Sequence, residues 1–273
     1  MIIHNENFII EQIADSGQCF RMNRIEQDKF SVIAYGRYLE LTQIDEKTVH
    51  LSCKEEEFHE IWEEYFDLAY NYKGIVDSLL DGEDDFLKKA AEYGRGIRIL
   101  KQEPFEALIS FIISQNKNIP AIKTCIEAIC KRYGERKIGG ECGPVEYYTF
   151  PGPEILSQAS KEDLRKLKTG YRDDYIISAA KAVFQGELNL KKLAEGTQEE
   201  AVKALIGIHG VGNKVANCVS LYGLHHIEAF PVDVWIKKVL KEIYNDNFAL
   251  ERYQGYVGIV QQYMFYYMRH LQG

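Results

Sequence analysis

Leu205–Val234, LIGIHGVGNKVANCVSLYGLHHIEAFPVDV, is the stretch that most restricts how this chain can fold. Two helical patterns, TQEEAVKALIGI and KVANCVSLYGL, are separated only by the tight segment His209–Asn213. A connection that short turns the second helix back along the first. Gly210 and Gly212 permit the positive φ angles and close backbone approach such a turn needs. With the second helix starting at about Asn213, its first N–H groups have no partner inside the helix. They point at whatever lies in front of them, and the helix dipole favours an anion such as a phosphate there. A plain αα-hairpin without a ligand satisfies the same pattern, so the glycines alone do not choose between the two.

The chain has 273 residues, a hydrophobic fraction of 46% and a charged fraction of 27%, normal for a soluble enzyme. That length can bury a substantial core in about two or three subdomains. No apolar run is long enough for a transmembrane helix. The opening MIIHNENFII lacks the basic region and long apolar core of a signal peptide, so a cytoplasmic location is expected. The net charge of −8 argues against a generic nucleic-acid binder, which carries a basic footprint. Helix N-termini bind phosphate without formal charge, however, and a local basic patch can coexist with acidic segments such as Glu55–Glu57 and Asp81–Asp85. Cys19, Cys53, Cys125, Cys130, Cys142 and Cys218 include no CxxC pair, and free thiols are expected. No cysteine follows Cys218, so no C-terminal four-cysteine iron–sulfur loop and no cysteine-bound metal are expected.

Phe30–Cys53 alternates with period two (FSVIAYG, RYLELTQ, TVHLSC), broken at Tyr35–Arg37 and Asp45–Lys47, which predicts a β-meander. In EEEFHEIWEEYFDL, the residues Phe58, Ile61, Trp62 and Tyr65 mark one helical face. After Gly96 helical patterns dominate. PFEALISFIISQN opens with proline at a first helical position, and AIKTCIEAICKRYG stops at Gly134. IGGECGPVEYYTFPGPE reads as the longest irregular connection. SKEDLRKLK restarts a helix with Ser160 as cap, YIISAAKAVFQG follows, and Thr197 with Glu200 has capping-box spacing. YQGYVGIVQQYMFYYMRHL is an aromatic-rich final helix. The expected class is α+β, mainly α: an N-terminal antiparallel sheet domain (1–98) packed on a helical body (99–273), with the hairpin at about 205–216.

Lys214 falls in the first turn of the second hairpin helix, where the dipole disfavours a cation and a purely structural lysine would not be placed. An amine there can serve as a nucleophile. Asp233 in FPVDV precedes the helical pattern VWIKKVL and is a natural N-cap. Capping and catalysis are compatible, because a cap holds the carboxylate in a fixed place.

LIGIHGVGNKVANCV followed by PVDV resembles the helix-hairpin-helix, loop and aspartate of the HhH-GPD DNA glycosylase superfamily, most closely its bifunctional 8-oxoguanine DNA glycosylase/AP lyases. The resemblance runs from about Ser16 to Phe265. It implies a base-excision repair enzyme whose partner is double-stranded DNA containing 8-oxoguanine, flipped into a pocket. Lys214 would attack the sugar C1′ to give a Schiff base, and β-elimination would nick the strand. Asp233 would stabilise positive charge on the ribose and orient the amine.

The resemblance also implies recognition residues. Gly17 in SGQCFR would accept the N7–H of 8-oxoguanine through its carbonyl. Guanine has no such proton, and the buried mismatch costs about 1–3 kcal/mol. Cys218 and Phe265 would sandwich the base, and Gln261 would read its Watson–Crick edge. Asn116 in FIISQNKNI would contact the widowed cytosine, with Tyr171 of GYR as the wedge and Arg172 meeting the orphaned base. Gly210 and Gly212 would hold a phosphate, with or without a bridging monovalent or divalent cation, and no other cofactor is implied.

Two positions depart from the family pattern. Ala121 stands where eukaryotic relatives have a second arginine for the opposite cytosine, so opposite-base discrimination should relax by roughly 1–3 kcal/mol. Trp235 replaces a phosphate-contacting histidine and offers one uncharged donor. Taken alone, Gly17 is also an ordinary turn glycine, Phe265 a core aromatic and Tyr171–Arg172 a common loop sequence. Rival readings are an HhH glycosylase for another damaged base and a non-catalytic HhH DNA-binding protein. Nothing suggests a membrane, and a monomer is expected.

Overall fold

A computed structural model describes residues 1–141 and 143–272; Cys142, among the thiols expected to be free, lies outside the described residues. The meander forms as expected. β3 (Lys29–Ala34), β4 (Arg37–Gln43) and β5 (Thr48–Leu51) pair antiparallel, with Val32 opposite Leu39 and Leu41 opposite Leu51. Two flanking strands complete the sheet: β1 (Ile2–His4) pairs with β5, and β2 (Met22–Glu26) with β3, giving the order β1-β5-β4-β3-β2. Neither edge strand stands out in the sequence, because only one of their faces is covered; in β2 only Met22 is buried.

The sheet packs on the helical segment 55–65, which runs through a π-turn at Phe58–Trp62 and buries Phe58, Trp62 and Tyr65. Phe8, Val32, Leu39, Leu41, Trp62 and Phe66 belong to this first core. The second core fills the helical body. It takes in the helices Tyr72–Asp81 and Asp85–Gly94, which lie on the N-terminal side of the expected 98/99 boundary; the second packs against the final helix, Val257–Gln272, and the first against the second.

Helix Pro104–Ser114 carries the expected proline in its first turn, and Ile119–Tyr133 ends at Gly134. Ser160 Oγ accepts from Asp163 N at 3.1 Å, and Thr197 and Glu200 close a reciprocal capping box. The stretch read as irregular contains a hairpin: β6 (Arg136–Gly139) pairs with β7 (Val145–Tyr148) and docks on the sheet through Tyr147, whose hydroxyl donates to Gly36 O at 3.2 Å. Its strands are four residues each, and only Tyr147 in β7 is fully buried, so the alternation is too short to read.

Two buried arginines lock the sheet to the body. Arg98, 1% exposed, donates to the carbonyls of Phe66, Asn7, Asp67 and Tyr70 and lies 4.1 Å over the Tyr72 ring. Arg21 bonds Glu127 at 2.8 Å and the Tyr148 carbonyl at 2.6 Å. Buried charges are retained only when their donors are satisfied. The Ser16–Phe20 segment is tied to the same stretch of chain through Gln18, which donates to Arg98 O and accepts from Leu100 N, both at 2.8 Å.

Candidate active site

Lys214 and Cys218 share one face of the helix Asn213–Tyr222, being one turn apart. Asp233 sits at the N-cap of Val234–Lys238, where its Oδ1 accepts from Trp235 N at 3.0 Å and Ile236 N at 2.9 Å. The cap holds that carboxylate, as the sequence suggested. All three residues line one cavity of about 600 Å³, together with Gly17, Gln261 and Phe265. Residues from four separate segments thus converge on one space.

Their electrostatics are shared. Burial pushes the Asp233 carboxyl above its usual range, while the Ile236 N–H and the Lys214 ammonium pull the other way. Burial likewise pushes the Cys218 thiol up to about 11 against the opposing pull of Lys214. The Lys214 Nζ also lies 5.6 Å from the centre of the Phe111 ring, so the amine rests against an aromatic face. Phe111 stacks on Tyr222 at 5.4 Å.

Gly17 has φ +77°, and a Cβ there would come within 3.3 Å of the Phe265 ring. Its backbone is therefore pressed against the aromatic that would hold the base. Two side chains with no assigned role in the sequence fix this wall. Gln262, fully buried, donates to the Ser16 carbonyl at 2.8 Å, and the Tyr222 hydroxyl donates to Gln262. The final helix is buried on all sides from Val257 to Met264, so its periodicity could not separate Gln262 from core residues. Gln261 is 3% exposed, with its amide nitrogen donating to the Pro231 carbonyl at 3.0 Å.

Outside the cavity, Asn116 adopts φ +50°, and its amide donates to the hydroxyl of Tyr171 at 3.2 Å, so these two are joined. Tyr171 is 51% exposed. Arg172, expected by resemblance to meet the orphaned base, is 5% exposed, and its guanidinium donates to the carbonyls of Thr169 (3.1 Å) and Gln115. Main-chain carbonyls that would otherwise be bare draw it inward. Ala121 lies in the first turn of Ile119–Tyr133. Trp235 lines the cavity, with the Lys238 Nζ 5.1 Å over its ring.

The two hairpin glycines differ, and the expectation of positive φ at both is corrected. Gly210 has φ +84°, and a Cβ would strike Tyr175 Cγ at 2.1 Å. Gly212 is extended (φ −90°), with nothing within 4 Å of a Cβ. It caps the helix without a side chain, and the first intrahelical bond is from Ala216 N to Gly212 O, leaving the preceding N–H groups open. Among the described residues there is no group of His, Cys, Asp and Glu suited to a metal, and no helix long and apolar enough to cross a membrane.

Residues 1–108 match the N-terminal domain of 8-oxoguanine DNA glycosylase, and residues 109–249 match the HhH-GPD superfamily of base excision DNA repair proteins. The N-glycosylase/DNA lyase of Saccharomyces cerevisiae is 32% identical over 271 residues, covering 89% of this chain and 70% of the yeast protein. A probable N-glycosylase/DNA lyase of Methanothermobacter thermautotrophicus is 31% identical, covering 75% of this chain and 72% of that protein. The 8-oxoguanine glycosylase/lyase of Clostridium acetobutylicum, solved with dsDNA containing cytosine opposite 8-oxoG, superposes with TM-score 0.91 at 36% identity, over 100% of this chain and 99% of that one. The chain belongs to the HhH-GPD superfamily of base excision DNA repair proteins. Within it, it is one of the bifunctional N-glycosylase/DNA lyases of the 8-oxoguanine type.

Proposed function

We propose that this protein excises 8-oxoguanine from duplex DNA through a Schiff base on Lys214 and then nicks the strand by β-elimination. The observation that carries the reading is the convergence of Lys214, Asp233, Cys218, Gly17, Gln261 and Phe265 on one cavity. In this scheme the neutral Lys214 amine forms a bond to C1′ as the bond from C1′ to the base breaks. The base leaves with the electron pair and takes up the proton that the attacking nitrogen sheds. The nitrogen lone pair then forms the C1′=N bond as the C1′–O4′ bond breaks, and the ring oxygen takes a proton from water, leaving the protonated imine. Abstraction of a C2′ proton then expels the 3′-phosphate. Asp233, held by its cap, faces the positive charge that develops on the sugar.

Base selection follows from the same walls. The Gly17 carbonyl accepts the N7–H present in 8-oxoguanine and absent from guanine, while Cys218 and Phe265 pack on the two faces of the ring. Gln261 meets the Watson–Crick edge after exchanging its bond to Pro231. Gly210, Gly212 and the open N–H groups of the second hairpin helix take a backbone phosphate, with a bridging monovalent or divalent cation as part of the reading. Asn116 and Tyr171 occupy the vacated stack, and Trp235 donates to a phosphate. With Ala121 in place of an arginine, cytosine is preferred only weakly, and the protein works as a monomer on cytoplasmic, nucleoid-associated DNA.

The test is borohydride trapping on an 8-oxoguanine:cytosine duplex with the native protein and Lys214→Gln. A lesion-dependent adduct lost in the variant is expected. A folded, DNA-binding native protein that forms no adduct would reassign the lesion or the nucleophile, and Lys214 would become a phosphate contact.

A further inference from the structure

Gln261, Phe265 and Arg269 follow one another at four-residue spacing on the final helix and form a stripe along one of its faces. All three line the cavity that holds Lys214 and Asp233. Gln261 marks the buried end of the stripe, and Arg269, half-buried in the last turn of the helix, marks the end nearest solvent. Eight residues of helix separate the two by about 12 Å, comparable to the reach from a purine's Watson–Crick edge to its own phosphate. The Arg269 guanidinium lies 5.9 Å from the centre of the Phe265 ring, and its Nη1 is buried without a hydrogen-bond partner among the described residues. The other cations among the lining residues are engaged. Lys123 Nζ donates to Met22 O at 2.6 Å and to Asn23 Oδ1 at 3.0 Å, and Lys117 Nζ donates to Lys168 O at 2.7 Å. Lys214 carries the proposed chemistry. Asp15 and Asp233 line the same cavity and repel an anion brought to it.

We propose that Arg269 binds, through its guanidinium fork, the phosphate of the nucleotide whose base enters this cavity. This rests on the reading of the protein as a base-flipping glycosylase. A buried donor without an acceptor is unfavourable, and a ligand oxygen relieves that cost. Because Nη1 gives up no hydrogen bond, turning the fork toward an entering phosphate costs little. The planar fork matches two phosphate oxygens at once, which a lysine ammonium cannot do. Trp235, on the same wall, offers one hydrogen bond and no charge, so the cation at the mouth is supplied by the final helix. With Gln261 at the far end of the stripe, one helix face then measures the nucleotide from its base edge to its backbone.

The experiment reads binding. Native protein, Arg269→Leu and Arg269→Lys are titrated with a duplex carrying an uncleavable tetrahydrofuran. The titrations are repeated with one phosphate at a time beside the tetrahydrofuran replaced by a neutral methylphosphonate. Arg269→Leu should bind the unmodified duplex roughly ten- to hundredfold more weakly, and the slope of log K against log salt should shrink by about one. Arg269→Lys keeps a point charge without the fork and should fall between the two. In the native protein one methylphosphonate position should carry a penalty of similar size, which in Arg269→Leu should shrink to within about twofold. An Arg269→Leu protein that binds as native does, or that keeps the native penalty at every methylphosphonate, would overturn the proposal. So would a deficit absent with tetrahydrofuran and present only with 8-oxoguanine in a Lys214→Gln background, because the arginine would then be reading the base. Should the leucine variant melt early, the methylphosphonate comparison in Arg269→Lys decides, since a general loss of stability is blind to which phosphate is neutral. A native protein that grips tetrahydrofuran but leaves 8-oxoguanine intact would refute the functional reading while leaving this contact decided by binding.

Discussion

Replacing Gly210 with alanine would put a Cβ 2.1 Å from Tyr175 Cγ on a backbone at φ +84°. The left-handed conformation alone costs an alanine about 1–2 kcal/mol. Displacing a packed ring adds about 1–3 kcal/mol of overpacking. The sum, roughly 2–5 kcal/mol, corresponds to a Tm lower by about 4–10 °C for a chain of this size. Gly212→Ala meets neither cost, since its φ is −90° and no atom lies within 4 Å of the added carbon. Its Tm should stay within about 2 °C of native. The new methyl would instead stand before the open N–H groups of the second hairpin helix, where the proposed phosphate sits, so DNA affinity should fall with the fold intact. Thermal melts and fluorescence anisotropy with a tetrahydrofuran duplex, run on both variants, separate the two effects. Adding Tyr175→Ala to Gly210→Ala should recover the overpacking share, giving a non-additive cycle. A Gly210→Ala protein that melts with native would refute the steric reasoning, and a Gly212→Ala protein that binds DNA as native does would refute the phosphate assignment.

Asp233→Asn keeps the cap oxygen and removes a carboxylate whose burial raises its pKa. Its Tm at neutral pH should therefore equal or exceed native while excision collapses, and a clear loss of stability would mean that the ionised cap holds the fold. Burial also pushes the Glu106 carboxyl up to about 8, with Arg21 opposing. A folded pKa above the unfolded value of 4.5 means that its contribution is whole below that value and is lost as pH rises through about 8. Glu106→Gln should flatten the fall in Tm between about pH 4.5 and pH 8, and parallel pH profiles would contradict this. The Cys218 thiol, buried and pushed up to about 11, should resist iodoacetamide at neutral pH in the native protein while reacting after denaturation. Rapid native-state labelling at Cys218 would show the cavity wall to be open.

What the sequence determined by itself is whatever depends on neighbours along the chain. The meander Phe30–Cys53, the Thr197 capping box, the proline start at Pro104 and the Gly210–Gly212 hairpin follow from period, cap chemistry and turn residues, which act within a few positions. Lys214 and Cys218 were paired by helix geometry, and Asp233 was placed by its cap. That Gly17, Gln261 and Phe265 join them was legible only through resemblance to a family, because the segments are far apart in the chain. Tertiary structure decided the rest. β1 exists because the distant β5 pairs with it, and the short β2 and the β6–β7 hairpin are held by docking on the rest of the sheet, not by a strong alternation of their own. Arg172 looks like a loop residue in sequence and is buried because the Gln115 and Thr169 carbonyls meet at one point only after folding. Gly210 needs to be glycine because of Tyr175, whereas nothing in the fold itself requires glycine at Gly212. Burial and hydrogen-bond satisfaction are properties of a packed volume, and one dimension of sequence carries them only where the packing partner happens to be near.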